Sequence, residues 1–322
     1  MTVTTTPIRR WAFLAAASVA AASLAPLARA QQVQAGRTVD LAPRFGDQAP
    51  ALYEHVLRVD TTQGVARIGE QSLRTLIFRR FEVSTRRLEE GQEDGAVAEA
   101  VFSLRRVAMR VERASGVAFD FDSDRPRVSD PGLPSLQGQV RALRALAAMD
   151  AVVRLDAAGR ALEVQGLEPL EEIAQEDPGA RILMGLIGRA WFEGMCNQLW
   201  AIGGDKGQAQ VGQTWEHIEG APVGDSGQTS PLALRYTLKR VEGDIAHIEG
   251  EGEVQIDDKT QILPDADAQI VNNKAVARCQ WSLSDGRAHR YTYHFKMEVA
   301  LSASGLDMTQ IQDIAQTLTL VQ

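Results

Sequence analysis

Hydrophobic and polar residues alternate with period two along most of this chain, and an apolar stretch with helical spacing over 178–202 interrupts the alternation. Strands are predicted over 52–59 and 73–88, where Phe81, Val83 and Thr85 alternate with Arg80, Glu82, Ser84 and Arg86. A longer strand is predicted over 96–113. Its apolar parity flips between Phe102/Leu104 and Val107/Met109/Val111, which places a β-bulge near Arg105-Arg106. Ser135 is an N-cap for a helix through Met149, with Leu136, Val140, Leu143 and Leu146 on one face. A hairpin at 152–155 and 162–164 and an acidic helix over 168–176 follow.

Within 178–202 the helical phase breaks. Ile182, Leu183, Leu186, Ile187 and Ala190 form one stripe, but Phe192, Met195, Cys196 and Leu199 form another that an unbroken helix would turn toward its charged side. Two short helices, or one sharp kink, are expected around Gly188. Beyond Gly203-Gly204 the strand pattern resumes at Trp215, at Leu232 to Leu238, after Gly243-Asp244, and over 311–320. In the hairpin before that last strand, a three-residue loop over 285–287 would pair Trp281 with Tyr291 and Cys279 with Tyr293, uniting the apolar faces. The fold expected is mainly antiparallel β (α+β): long curved sheet built from two arms, 31–131 and 205–322, with a helical insertion at 132–204 packed on one face.

Residues 1–30 read as a cleaved signal peptide. Arg9 and Arg10 precede an uncharged run over 11–27, and Ala28-Arg29-Ala30 has the small-x-small cleavage pattern. The run is short for a spanning helix, which needs about 20 apolar residues, and Pro26 breaks it. No cysteine follows it to carry a lipid anchor, and no later segment is apolar enough for a transmembrane anchor. A periplasmic or secreted location is expected, by the Sec route rather than the twin-arginine one, because Phe13-Leu14 sit one residue late for the latter. Removing three arginines leaves 31 of the 34 basic residues against 42 acidic ones, a balance of −11, which is a poor match to nucleic acid. In an oxidising compartment Cys196 and Cys279 are a candidate disulfide, which would stabilise by about 4–5 kcal/mol on a chain-entropy argument; two free, buried thiols are the alternative.

Sites of reaction chemistry are not legible. Gly224-Asp225-Ser226-Gly227 copies the surroundings of a protease nucleophile but sits in a Gly/Ser/Thr-rich loop without partner motifs. Asp120, Asp122 and Asp124 have calcium-loop spacing, yet Arg125 and Pro131 stand where such a loop needs Gly and Glu. The histidines are scattered, so no metal site or other cofactor is implied. The remaining candidates are apolar: Leu183, Leu186, Ile187, Trp191 and Met195 on the helical stretch, facing Trp281, Tyr291 and Tyr293. Such a face is either core or a ligand wall.

Four segments, 39–45, 121–126, 155–166 and 211–215, carry the motifs Val-Asp-Leu-Ala-Pro-Arg-Phe, Phe-Asp-Ser-Asp-Arg-Pro, Leu-Asp-Ala-Ala-Gly-Arg-Ala-Leu-Glu-Val-Gln-Gly and Val-Gly-Gln-Thr-Trp. In their order and spacing the chain resembles a family of exported bacterial β-rich proteins known only as a domain of unknown function. The resemblance implies export and a shared fold, and no activity. Family members usually have Asp-Ser at Gln213-Thr214 and an apolar residue at Cys196, so a bridge would be particular to this chain. The function expected is non-enzymatic binding of an apolar small molecule, in the manner of a lipid carrier, or of an envelope protein. The alternatives are an envelope assembly protein working through sheet edges and a hydrolase without a recognisable signature.

Overall fold

The computed structural model describes residues 36–46, 49–65, 69–89, 95–125, 134–204, 207–223, 228–254, 267–303 and 306–321. Residues 1–30, read above as a signal peptide, and the Gly224-Asp225-Ser226-Gly227 segment lie outside them. The first arm supplies β1 (Thr38–Asp40), β2 (Ala51–Val65), β3 (Gly69–Arg87), β4 (Ala98–Arg113) and β5 (Gly116–Asp122). The insertion contributes α1 (Pro134–Ala147), the hairpin β6 (Asp150–Leu155) and β7 (Ala161–Gln165), then α2 (Glu168–Glu176), α3 (Pro178–Ile187) and α4 (Arg189–Leu199). The second arm adds β8 (Gln208–Gln210), β9 (Thr214–Val223), β10 (Gln228–Glu242), β11 (Ile245–Val254), β12 (Asp267–Ser282), β13 (Arg287–Ala303) and β14 (Leu306–Leu320).

β1 pairs with β8; the other twelve strands form one antiparallel sheet in the order β7-β6-β4-β3-β2-β14-β13-β12-β11-β10-β9, with β5 also on β4. The order does not return on itself, so the sheet is open, with β7 and β9 at its edges. The two arms become one sheet because β14 pairs with β2 along its length, from Leu320↔Tyr53 to Met308↔Val65. The insertion is more than a cover, since its hairpin extends the sheet by pairing β6 with β4.

Local chemistry sets the two faces. On one side directly opposed residues form ion pairs, as at Glu54–Arg80, Asp60–Arg74 and Glu99–Arg86; each such exposed pair is worth only about 0.2–1 kcal/mol but keeps that face wet. The other side carries Tyr53, Phe81, Phe102 and Tyr291 and is covered by the helices. The bulge falls at Arg105, which is skipped between the pairs Arg80↔Arg106 and Phe81↔Leu104, so Leu104 and Val107 both point inward.

The hairpin register departs from the expectation. Cys279 pairs with Tyr291, not Tyr293, and Trp281 pairs with Ala288, because His289 is bulged out next to a four-residue turn. Beyond the bulge the apolar faces still unite, since there the observed and expected registers differ by two residues.

The helical stretch is two helices. Gly188 ends α3 and starts α4 in an extended conformation, and a Cβ there would lie 2.6 Å from the Met184 carbonyl oxygen. The second stripe is buried as read: Phe192, Met195, Cys196 and Leu199 all face the core. The first stripe is displaced. Ile182 is 70% exposed and Ala190 is exposed, while Ala180, Leu183 and Ile187 are buried, because α1 and α2 meet α3 on that side.

Asp177 caps α3 by accepting from the backbone N–H of Gly179 (2.8 Å) and Ala180 (3.3 Å). Gly138 of α1 lies against it, and a Cβ there would sit 2.0 Å from the Asp177 Cγ. Glycine to alanine inside a helix ordinarily stabilises by about 1 kcal/mol. Here the sign is predicted to reverse. Gly138→Ala should destabilise by about 1 kcal/mol or more by displacing the cap, and in an Asp177→Ala background the same substitution should be neutral or stabilising. Urea unfolding of the single and double variants measures both.

Candidate functional site

Three neighbouring rows of side chains cross the sheet on its helix-facing side. The first runs Val107, Arg79, His55, Leu318, Tyr291, Cys279, Ile248, Leu238, and every member is buried. The second runs Met109, Ile77, Leu57, Gln316, Tyr293, Ala277, Gly250, Tyr236. The third runs Val111, Thr75, Val59, Ile314, Phe295, Ala275, Gly252, Leu234. Adjacent rows lie about 6.7 Å apart, two residues of strand rise.

The first row holds a buried cation. Arg79 is fully buried, donates from Nη1 to His55 Nδ1 (3.0 Å) and from Nη2 to the Leu186 carbonyl, and lays its guanidinium 4.7 Å from the centre of the Trp191 ring. Leu186 and Trp191 flank the helix break. In an unbroken helix the Leu186 carbonyl would accept from Ala190; the break frees it, and Arg79 satisfies it at the negative end of α3. Because a guanidinium only donates, His55 accepts at Nδ1 and carries its ring proton on Nε2. Among the described residues, no protein group accepts from His55 Nε2, Arg79 Nε or Trp191 Nε1. Burial lowers Arg79 to about 9, so it stays charged at neutral pH. Burial, and then the charge of Arg79, hold His55 well below the ordinary histidine range.

The apolar residues singled out in the sequence divide into two groups. Leu183, Ile187, Trp191, Met195, Trp281 and Tyr291 are buried core. Beneath the cover the space is filled with rings: Trp191 meets Phe81 edge-on at 5.7 Å, and Phe102 meets Phe192 at 5.6 Å and Trp200 at 6.2 Å. Leu186 and Tyr293 are only partly buried. With Tyr293 go Leu57 of the second row and Val59 and Val111 of the third, also partly exposed on the helix-facing side. α4 reaches the second row through Gln198, which accepts from Gln316 Nε2 at 2.6 Å.

Cys196 and Cys279 are both buried and unbonded. Burial raises both thiols, Cys196 with a smaller push from Glu193. The three aspartates are neutralised rather than arranged around a cation. Arg106 grips Asp122 with two hydrogen bonds (3.1 and 2.7 Å), and Arg125 pairs with Asp120. No cluster of three or more potential metal ligands occurs among the described residues. A polar network at the β12–β13 turn joins Asp244, Ser282, Ser284, Asp285 and His289, but both serines donate to Asp244 (2.8 and 2.7 Å) while His289 bonds Asp285 (2.7 Å). That arrangement fixes a turn; it does not set a serine against a histidine base.

In the sequence His55 reads only as one of the scattered histidines and Arg79 is not singled out, although a signal is present. Arg79 has the parity of Phe81 and Val83, and His55 that of Ala51 and Tyr53, so both polar residues lie on the apolar side of their strands.

No protein-family model matches the chain, and no curated protein does. A solved lipovitellin, studied for its lipid–protein interactions, aligns with 86% of this chain at 11% identity and a TM-score of 0.48; the chain spans about 25% of that protein. DynF, from the dynemicin biosynthesis pathway of Micromonospora chersina, aligns with 86% of the chain and 84% of its own at 8% identity and TM-score 0.19. An outer membrane channel from Pseudomonas putida covers 86% of the chain and 97% of its own at 10% identity and TM-score 0.22. Likenesses this slight carry neither a ligand nor an activity over to this chain.

Two measurements follow from the buried groups. His55 is neutral in the fold, whereas in the unfolded chain it titrates near the ordinary value of about 6.5. Below that pH the unfolded chain takes up a proton the fold refuses, so His55 makes stability fall as pH falls, by up to about 1.4 kcal/mol per pH unit. His55→Gln should remove that increment, seen as a shallower pH dependence of urea-derived stability between about pH 7 and pH 5. The thiols should be inert to a thiol reagent in the native protein, and both should react after denaturation without reductant.

Proposed function

We propose that the protein is an exported, non-enzymatic carrier that holds an apolar ligand against the helix-facing side of its open sheet. The carrying observation is the partly exposed apolar group Leu57, Val59, Val111 and Tyr293, which continues the core rows outward instead of switching to the Arg/Glu chemistry of the opposite face. Apolar surface left in water costs about 25 cal/mol per Å², so a molecule that covers these side chains is held by the same effect that builds the core. Core and ligand wall are then one continuous surface. The ligand residues are the partly exposed ones, while Trp191, Met195, Trp281 and Tyr291 support them from within.

A second reading has its own observation. β9 is a sheet edge and its Ile218 is 67% exposed, a surface suited to strand addition by an envelope partner. In-cell crosslinking at position 218 giving one defined product would favour that reading.

Protein purified from the periplasm or medium should begin at Gln31 and show, by native mass spectrometry, a bound mass that organic extraction removes. Val59→Asp should reduce its occupancy several-fold with little change in melting temperature. Protein that is ligand-free from its own compartment, and takes up no apolar probe afterwards, would refute the carrier reading.

A further inference from the structure

Arginines on the wet face are answered by carboxylates: Arg80 by Glu54, Arg86 by Glu99, Arg105 by Glu82 and Arg106 by Asp122. Arg79, the one that points into the core from the same strand as Arg80, has no carboxylate partner among the described residues. A buried ion without a counter-ion costs several kcal/mol. The stack on Trp191 and the bonds to His55 and Leu186 offset part of this, yet all its partners are neutral. The three nitrogens without a protein acceptor, Arg79 Nε, His55 Nε2 and Trp191 Nε1, belong to side chains in mutual contact. All three are donors.

We infer that Arg79 is the headgroup site of the carried molecule, and that this molecule is an apolar chain ending in a carboxylate, of the long-chain fatty-acid class. The inference rests on the carrier reading. One guanidinium supplies one positive charge and a planar fork of donors, which matches a monoanionic carboxylate. His55, Leu57 and Val59 follow one another on the same face of β2, so the apolar wall begins at the headgroup and runs on for about 13 Å along the strand. The acceptor given up is the Leu186 carbonyl. It lies beside the Gly188 break, where α3 ends and α4 begins. The Leu186 carbonyl stands where the proposed site would place one carboxylate oxygen. Binding exchanges a neutral acceptor for a charged one, and the cover yields at its break.

Calorimetric titration of wild-type protein with palmitate, hexadecanol and hexadecyltrimethylammonium tests this with chains of equal length. Palmitate should bind at least about tenfold more tightly than the alcohol, the increment of a hydrogen bond to a charged group, and the cation should bind most weakly. Arg79→Gln should abolish the preference for palmitate over hexadecanol. Equal binding of palmitate and hexadecanol by the wild type would overturn the headgroup site and leave the carrier reading standing. Binding of none of the three would overturn both. If Arg79→Gln does not fold, the headgroup series on the wild type decides alone.

Discussion

The contact between Arg79 and the broken helical cover sets the terms for the rest of this structure. A guanidinium on the core side of a sheet must be satisfied where it stands, because water does not reach it. The break at Gly188 supplies a carbonyl that an unbroken helix would have used itself, and Trp191, immediately after the break, supplies an aromatic face. Sheet and cover are thereby registered to each other. The re-phasing of the helical stripe lets α3 bury Leu183 and Ile187 where α1 and α2 meet it, while α4 buries Phe192, Met195, Cys196 and Leu199 toward the sheet. A straight helix would have buried one stripe and left the other facing water.

The row that holds Arg79 also runs across the junction of the two arms. Arg79 and His55 sit on neighbouring strands of the first arm, and the next residue in their row, Leu318, comes from the last strand of the chain. The row is complete only after β14 has paired with β2, a contact between regions far apart in sequence. Such long-range pairing closes a large loop and is expected to form late, after the local hairpins of each arm.

Much of this was legible in the sequence because two periodicities are hard to confuse. The parity flip between Leu104 and Val107 located the bulge at Arg105, and the phase conflict between Ile187 and Phe192 located the helix break. Where the reading failed, a single residue or a tertiary neighbour was the cause. The β12–β13 register is offset because His289 bulges, and a bulge beside a turn leaves no mark on the parity of the residues beyond it. Ile182 is exposed although it continues an apolar stripe, since which side of α3 is buried depends on where α1 and α2 arrive. The apolar candidates read in the sequence as one continuous face, but period alone does not separate a filled core from a wall. The proposed wall rests on the partial exposure of Leu57, Val59, Val111 and Tyr293 and on Arg79, a polar residue on an apolar parity.

The central claim is that the core row containing Arg79 and the apolar rows beyond it form one ligand wall. Methyl NMR with a fatty acid spin-labelled near its chain end tests it most directly. Broadening should concentrate on the methyls of Val59, Val111 and Ile314, with Leu57 less affected, and should vanish when unlabelled palmitate is added in excess. Broadening confined to the opposite face of the sheet, or absent from these methyls while the ligand is bound, would contradict the account.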